Sequence, residues 1–157
     1  RLPLAPMELV VYRSLHASGW VIKRGNYGRD RKRFVVLTDD VLLYYTSDRM
    51  DKLRGQIVLS EVVAVYLYRR VAVSATKQFA IEILTKGRTW LLFVKDEPEL
   101  DKWRLVFLGY SLLAPVPASH TRRPSGYVPI LEDCESLPLP QHGTPLDCVR
   151  IYMPKGS

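Results

Sequence analysis

From Lys23 to Arg33 the chain reads Lys-Arg-Gly-Asn-Tyr-Gly-Arg-Asp-Arg-Lys-Arg. Six cations (Lys23, Arg24, Arg29, Arg31, Lys32 and Arg33) face one anion, Asp30, so this stretch carries a net +5. Like charges crowded at one loop repel each other, and an anion settling among them relieves that repulsion. Phosphate is well suited, since Arg offers it two parallel N–H donors. Trp20-Val21-Ile22 leads into the stretch and Phe34-Val35-Val36-Leu37 leads out. Two apolar runs around a glycine-containing loop predict strand, loop, strand. Alternate side chains of a strand share a face, so Arg31 and Arg33 point the same way and Lys23 on the paired strand can join them. The same alternation sends Asp30 to the other face, where Lys32 is its expected partner.

Other chemistry finds little footing. His16, His120 and His142 fall outside the predicted strands, with no carboxylate or nucleophile at a motif spacing. No Gly-Lys-Ser/Thr phosphate loop and no Gly-x-Ser-x-Gly elbow is present. The expectation is a non-enzyme with no cofactor and no metal. Two cysteines, Cys134 and Cys148, both late in the chain, do not suggest a disulfide framework and fit a cytosolic protein. The net charge of +7 leaves nucleic acid, an anionic membrane or an acidic protein as partners. Nucleic acid is not expected, because the patch is one hairpin without interleaved exposed aromatics for stacking. No apolar run reaches the roughly 20 residues that span a bilayer. The start, Arg1-Leu2-Pro3-Leu4-Ala5-Pro6, has no signal-peptide pattern.

The elements that would position the cations follow from periodicity. Strands are predicted at Ser18 to Lys23, Arg33 to Leu37, Val41 to Thr46, Gln56 to Leu59, Val62 to Arg69, Gln78 to Leu84 and Thr89 to Val94. Turns fall at Thr38-Asp39-Asp40 and Lys86-Gly87-Arg88. Phe79, Ile81 and Ile83 alternate with Gln78, Ala80 and Glu82, so the two sets point to opposite faces. The period then changes. Asp96 is an N-cap candidate with Glu99 three residues on and Pro98 in the first turn. Leu100, Trp103, Phe107 and Tyr110 lie on one helical face, with Asp101, Lys102 and Arg104 off it. From Ala114 the chain is proline-rich and aperiodic, with eight of its eleven prolines between Pro115 and Pro154. That texture predicts a tail or linker. The organisation is an N-terminal extension over 1–16, a folded unit over 17–113 and a tail over 114–157.

Seven short antiparallel strands followed by one amphipathic helix with a central Trp resemble the pleckstrin homology (PH) domain. The segments that carry the resemblance are SGWVIKRG, RKRFVVL, LLYY, LRGQIVL and EPELDKWRLVF, in that order. It implies a mainly β fold, a seven-stranded antiparallel barrel or sandwich capped by one C-terminal helix, with Trp103 plugging one end. Phosphoinositide-binding members carry a Lys late in the first strand, then a basic residue, any residue and Arg before an aromatic. Lys23 and Arg31-Lys32-Arg33-Phe34 match that pattern. Tyr44 in the third strand and Arg54 before the fourth also fall where such members contact the headgroup. The resemblance therefore implies a headgroup site of Lys23, Arg31, Arg33, Tyr44 and Arg54, with 3-phosphorylated headgroups favoured. It further implies peripheral membrane recruitment at the cytoplasmic face of the plasma membrane. Two departures from the pattern are the acid Asp30 and the short turn at Lys86-Gly87-Arg88.

The tail supports an alternative. Ser125-Gly126-Tyr127-Val128-Pro129-Ile130 resembles a tyrosine inhibitory motif. Tyr127-Val128-Pro129 and Tyr152-Met153-Pro154 are similar to segments of docking proteins of the Gab and insulin-receptor-substrate kind. Tyr127 and Tyr152 are then candidate phosphosites. In this alternative the chain is a protein–protein interaction module, and phosphotyrosine-binding proteins are its partners. Leu137-Pro138-Leu139-Pro140 suits an extended polyproline form.

Overall fold

The computed structural model describes residues 17–130. In chain order it contains β1 (Ser18–Arg24), β2 (Asp30–Thr38), β3 (Val41–Tyr45), β4 (Leu53–Val58) and a single 3-10 turn at Leu59–Glu61. Then come β5 (Val62–Arg70), β6 (Phe79–Thr85), β7 (Thr89–Val94), the helix α1 (Glu97–Gly109) and β8 (Tyr127–Pro129). All eight strands form one antiparallel sheet in the order β4-β3-β2-β1-β7-β6-β5-β8. The mainly β architecture with one following helix is the one expected. Two details correct the expectation. The sheet is open, with β4 and β8 as its edges, and an eighth strand comes from the proline-rich segment. His16 and the N-terminal extension, and Cys134, the Leu137–Pro140 run, His142, Cys148 and Tyr152, lie outside the described residues.

Local sequence explains the joints. Asp39 and Asp40 both adopt positive φ (47° and 67°) between the paired Thr38 and Val41. Two left-handed residues match the twist of a two-residue hairpin, and Asp tolerates that conformation better than most residues. α1 begins where Asp96 accepts the Glu99 N–H at 3.1 Å, with Pro98 in its first turn. Both features satisfy or remove donors that a helix start leaves orphaned.

One face of the sheet packs on α1. Val21, Val35, Leu37, Leu42, Ile57, Val65, Leu67, Ile81, Ile83, Leu92 and Val94 meet Leu100, Trp103, Val106 and Phe107 there. Trp103 is 2% exposed. Arg104 is buried as well, against the expectation from the helical face, and its guanidinium pairs with Asp101 at 3.1 Å. Its aliphatic stem can cover apolar surface while the head keeps a polar partner.

The other face is not left to solvent. Ala64, Tyr66, Tyr68, Ala80 and Phe93 form a second buried cluster, closed by Tyr127 with Ala114 and Val116 at its margin. The chain beyond α1 runs along β5: the Val65 N–H bonds the Leu112 carbonyl and the Ala114 N–H bonds the Val65 carbonyl. It leaves the sheet, then returns as β8 beside Tyr68–Arg70. Glu82 is therefore buried. It accepts from the Tyr68 hydroxyl at 2.7 Å and meets His120 Nε2 at 3.0 Å.

Candidate functional site

The register of β1, β2 and β3 builds the site. Lys23 pairs with Arg31 and Val21 with Arg33. Directly paired residues share a face, and Val21 and Val35 on that face are core residues. Lys23, Arg31 and Arg33 therefore continue the core-facing stripe past the end of the apolar core. Tyr44 pairs with Val35 and is itself buried, so it sits at the boundary between core and cations. The Lys23 ammonium lies 5.2 Å from the centre of the Tyr44 ring.

β4 completes this end of the sheet through an irregularity. Tyr44 pairs with Gly55 and Tyr45 with Leu53, which leaves Arg54 as the extra residue of a β-bulge. Bulges re-aim side chains out of the regular alternation, and Arg54 comes close enough to act on the charge of Arg33. Gly55 is required beside it, because a Cβ there would overlap the Tyr44 ring.

These cations are not neutralised. Among the described residues no carboxylate pairs with Lys23, Arg31, Arg33 or Arg54; Arg33 donates only to the neighbouring Lys32 carbonyl, at 3.0 Å. Partial burial holds the Lys23 ammonium below its usual range, helped by the charges of Arg88 and Arg33. Burial does the same to the Arg33 guanidinium, helped by Arg54 and Arg31, while Tyr44 acts in the opposite sense. Both residues thus carry charge that their surroundings disfavour, and an arriving anion reverses that penalty. Arg88 was missed in the sequence because its turn is short. Its place follows from a non-local register, since the Lys23–Leu92 pairing brings the turn before β7 level with the end of β1. The Arg88 guanidinium lies 4.6 Å above the Trp90 ring.

Asp30 lies on the opposite face, as the alternation requires, but its partners differ from the expected one. It bonds Arg24 at 3.0 Å and Lys77 at 2.8 Å. Lys32 instead lies 4.7 Å from the Trp20 ring centre. The hydrogen bond from Arg24 holds the Asp30 carboxyl below the usual range; burial opposes this and Lys77 adds to it. A groove of about 510 Å³ on that side is lined by Trp20, Ile22, Asp30, Lys32, Phe93 and Lys95. Its apolar walls and its carboxylate make it a poor phosphate site, and Lys23, Arg31 and Arg33 face away from it.

Tyr127 is not an exposed tail residue. It is 7% exposed, and its hydroxyl donates to the Lys77 carbonyl at 2.5 Å. Its ring packs 5.6 Å from Phe93. A kinase reaches it only when β8 leaves the sheet. Among the described residues no three His, Cys, Asp or Glu side chains gather to hold a metal, and no helix is long and apolar enough to cross a membrane.

A family model described as PH domain matches residues 15–107. The N-terminal PH domain of human ARAP2 is 25% identical, over 69% of this chain and 93% of that one, with a TM-score of 0.44. The PH domain of human pleckstrin homology domain-containing protein family A member 5 is 20% identical, over 68% and 84%, with a TM-score of 0.47. No curated protein matches the chain.

Proposed function

The chain belongs to the PH domain family, and on that premise we propose that it is a membrane-targeting module that binds phosphoinositide headgroups through Lys23, Arg31, Arg33, Tyr44 and Arg54. A PH domain is a lipid- or protein-interaction module and is typically not a catalyst. One observation carries the finer reading. Four cations converge around Tyr44 at one end of the sheet without a carboxylate partner among the described residues, while Asp30 on β2 is held on the opposite face. Lys23 and Arg33 are partly buried, where a charge is ordinarily paired, while Arg31 and Arg54 beside them are exposed. Charges left unpaired in a converging set await a multivalent anion.

A headgroup with phosphates on neighbouring ring positions offers such an anion. Each charge-assisted bond contributes a net ~1.5–3 kcal/mol. The set of Lys23, Arg31, Arg33, Tyr44 and Arg54 favours 3-phosphorylated headgroups, and Arg88 adds to the field. The partner is then a phosphoinositide-containing membrane, and the place of action its cytoplasmic surface. The alternative, tail tyrosines serving as phosphotyrosine docking sites, draws no support from Tyr127, whose hydroxyl is buried and bonded.

Vesicle co-sedimentation at physiological salt tests this reading. Preference between phosphoinositide isomers of equal charge is the expected result. Binding that follows charge alone, appears with phosphatidylserine and vanishes with salt is generic attraction and contradicts a pocket.

A further inference from the structure

The family match ends at residue 107, before the chain returns along β5. β8 is thus an addition to the scaffold, and it caps an edge that the scaffold itself leaves open. We propose that the β5 edge is a strand-addition site for an extended peptide with an aromatic anchor and acids on its N-terminal side, held closed in cis by Tyr127–Pro129.

The cis segment has the form of a bound peptide. Backbone bonds that carry no sequence information hold it along the edge: Ile130 N–H to the Leu67 carbonyl and Val71 N–H to the Gly126 carbonyl, both at 2.9 Å. One side chain of β8 enters deeply. Tyr127 fills the pocket between Phe93, Tyr68 and Ala80, while Val128 and Pro129 stay half-buried. Main-chain bonds for affinity and alternate side-chain pockets for specificity define recognition by strand addition. Gly126, at φ +86°, turns the chain into the edge.

The segment is also built to separate. Only three residues are paired. They are tethered through residues 115–126, which include Pro115, Pro117 and Pro124 and make no other strand. The main core with α1 lies on the opposite face and does not include Tyr127; of the paired segment and its neighbours only Ile130 packs at its margin. Strand release would expose Tyr66, Tyr68, Ala80 and Phe93, an apolar surface that a partner must cover with apolar groups of its own. Arg69, Arg70 and Lys77 border the edge, with the Arg70 guanidinium 5.8 Å from the Tyr127 ring. Acids that precede the anchor would complement that border, which lies beside Gly126 and Tyr127. The pocket lies on the opposite face of the sheet from Lys23, Arg31 and Arg33, so its test does not involve those cations.

The probe is a fluorescein-labelled peptide of residues 123–132, titrated into the full chain as wild type, Tyr127→Ala and Ile130→Pro. The first variant removes the anchor, and the second removes the N–H that bonds Leu67. Anisotropy is expected to show about tenfold or more tighter binding to either folded variant than to wild type, because a docked cis strand reduces the open fraction. The same peptide with its own Tyr replaced by Ala is expected not to bind. Amide exchange on the wild type needs no variant: Ile130 and Val71 should exchange well before the amides of β6. Equal affinity for all three proteins, equal binding of the two peptides, or exchange at Ile130 as slow as in β6 overturns the proposal.

Discussion

At the scale of single residues, the site is defined by which charges are paired and which are not. Lys23 sits in an electropositive, partly buried place that lowers its pKa from 10.5. A bound anion favours the charged form, so headgroup binding should raise the Lys23 pKa, and affinity should fall as pH climbs through it. Nitrogen-detected NMR titration of Nζ, with and without a soluble inositol phosphate, reads this; an unchanged Lys23 would place the anion elsewhere. Asp30 makes the converse case. Its carboxyl is held below 3.8, chiefly by Arg24, so the stability it adds is present above that value and lost as pH falls through the folded pKa. Asp30→Asn should therefore be less stable than wild type at neutral pH, and the two should converge in acid. Its headgroup affinity should rise only slightly, and salt should erase the gain. A tenfold gain that persists in high salt would mean that Asp30 lines the site. At Gly55 even a methyl group collides with the Tyr44 ring. Gly55→Ala should cost about 1–3 kcal/mol by overpacking and weaken headgroup binding by displacing Tyr44, which thermal unfolding and calorimetry read separately.

At the scale of elements, α1 covers the core face and Trp103 is its central contact. Trp103→Ala should destabilise the domain by roughly 3–5 kcal/mol, the range for deleting a large buried aromatic. A thermal midpoint within a degree or two of wild type would show that the core does not rest on this helix. Elements of this kind were legible in the sequence because their signals are local: alternation in Phe79–Ile83, the cap at Asp96, the turn at Asp39-Asp40. What escaped was non-local. β8 is three residues inside a proline-rich segment, and its strand character comes from the β5 edge rather than from its own composition. The burial of Glu82 depends on the returning chain, which supplies His120 as its partner. Arg104 reads as a polar-face residue, yet it is buried beside Asp101. The candidate site was legible in Lys23, Arg31 and Arg33 because strand alternation fixes their common face. Arg54 joins through a bulge, and Arg88 through the β6–β7 turn, and neither follows from periodicity.

At the scale of the whole molecule, charge and fold point the same way. Up to Leu113 the chain carries 19 Lys/Arg and 12 Asp/Glu, and from Ala114 onward four of each, so nearly all of the +7 belongs to the scaffold. The β1–β2 loop with Tyr27, which is 95% exposed, projects from the end of the sheet where the cations converge. A molecule so polarised meets an anionic surface with that end first, since its field acts before contact is made. The opposite face of the sheet is covered in part by the returning segment that ends in β8. Isothermal calorimetry of a soluble 3-phosphorylated inositol phosphate against wild type and Arg33→Ala decides the matter. Binding should weaken about ten- to a hundredfold in Arg33→Ala, the equivalent of one bidentate charged contact, with the thermal midpoint unchanged. Equal affinity in a folded Arg33→Ala protein would contradict the headgroup site.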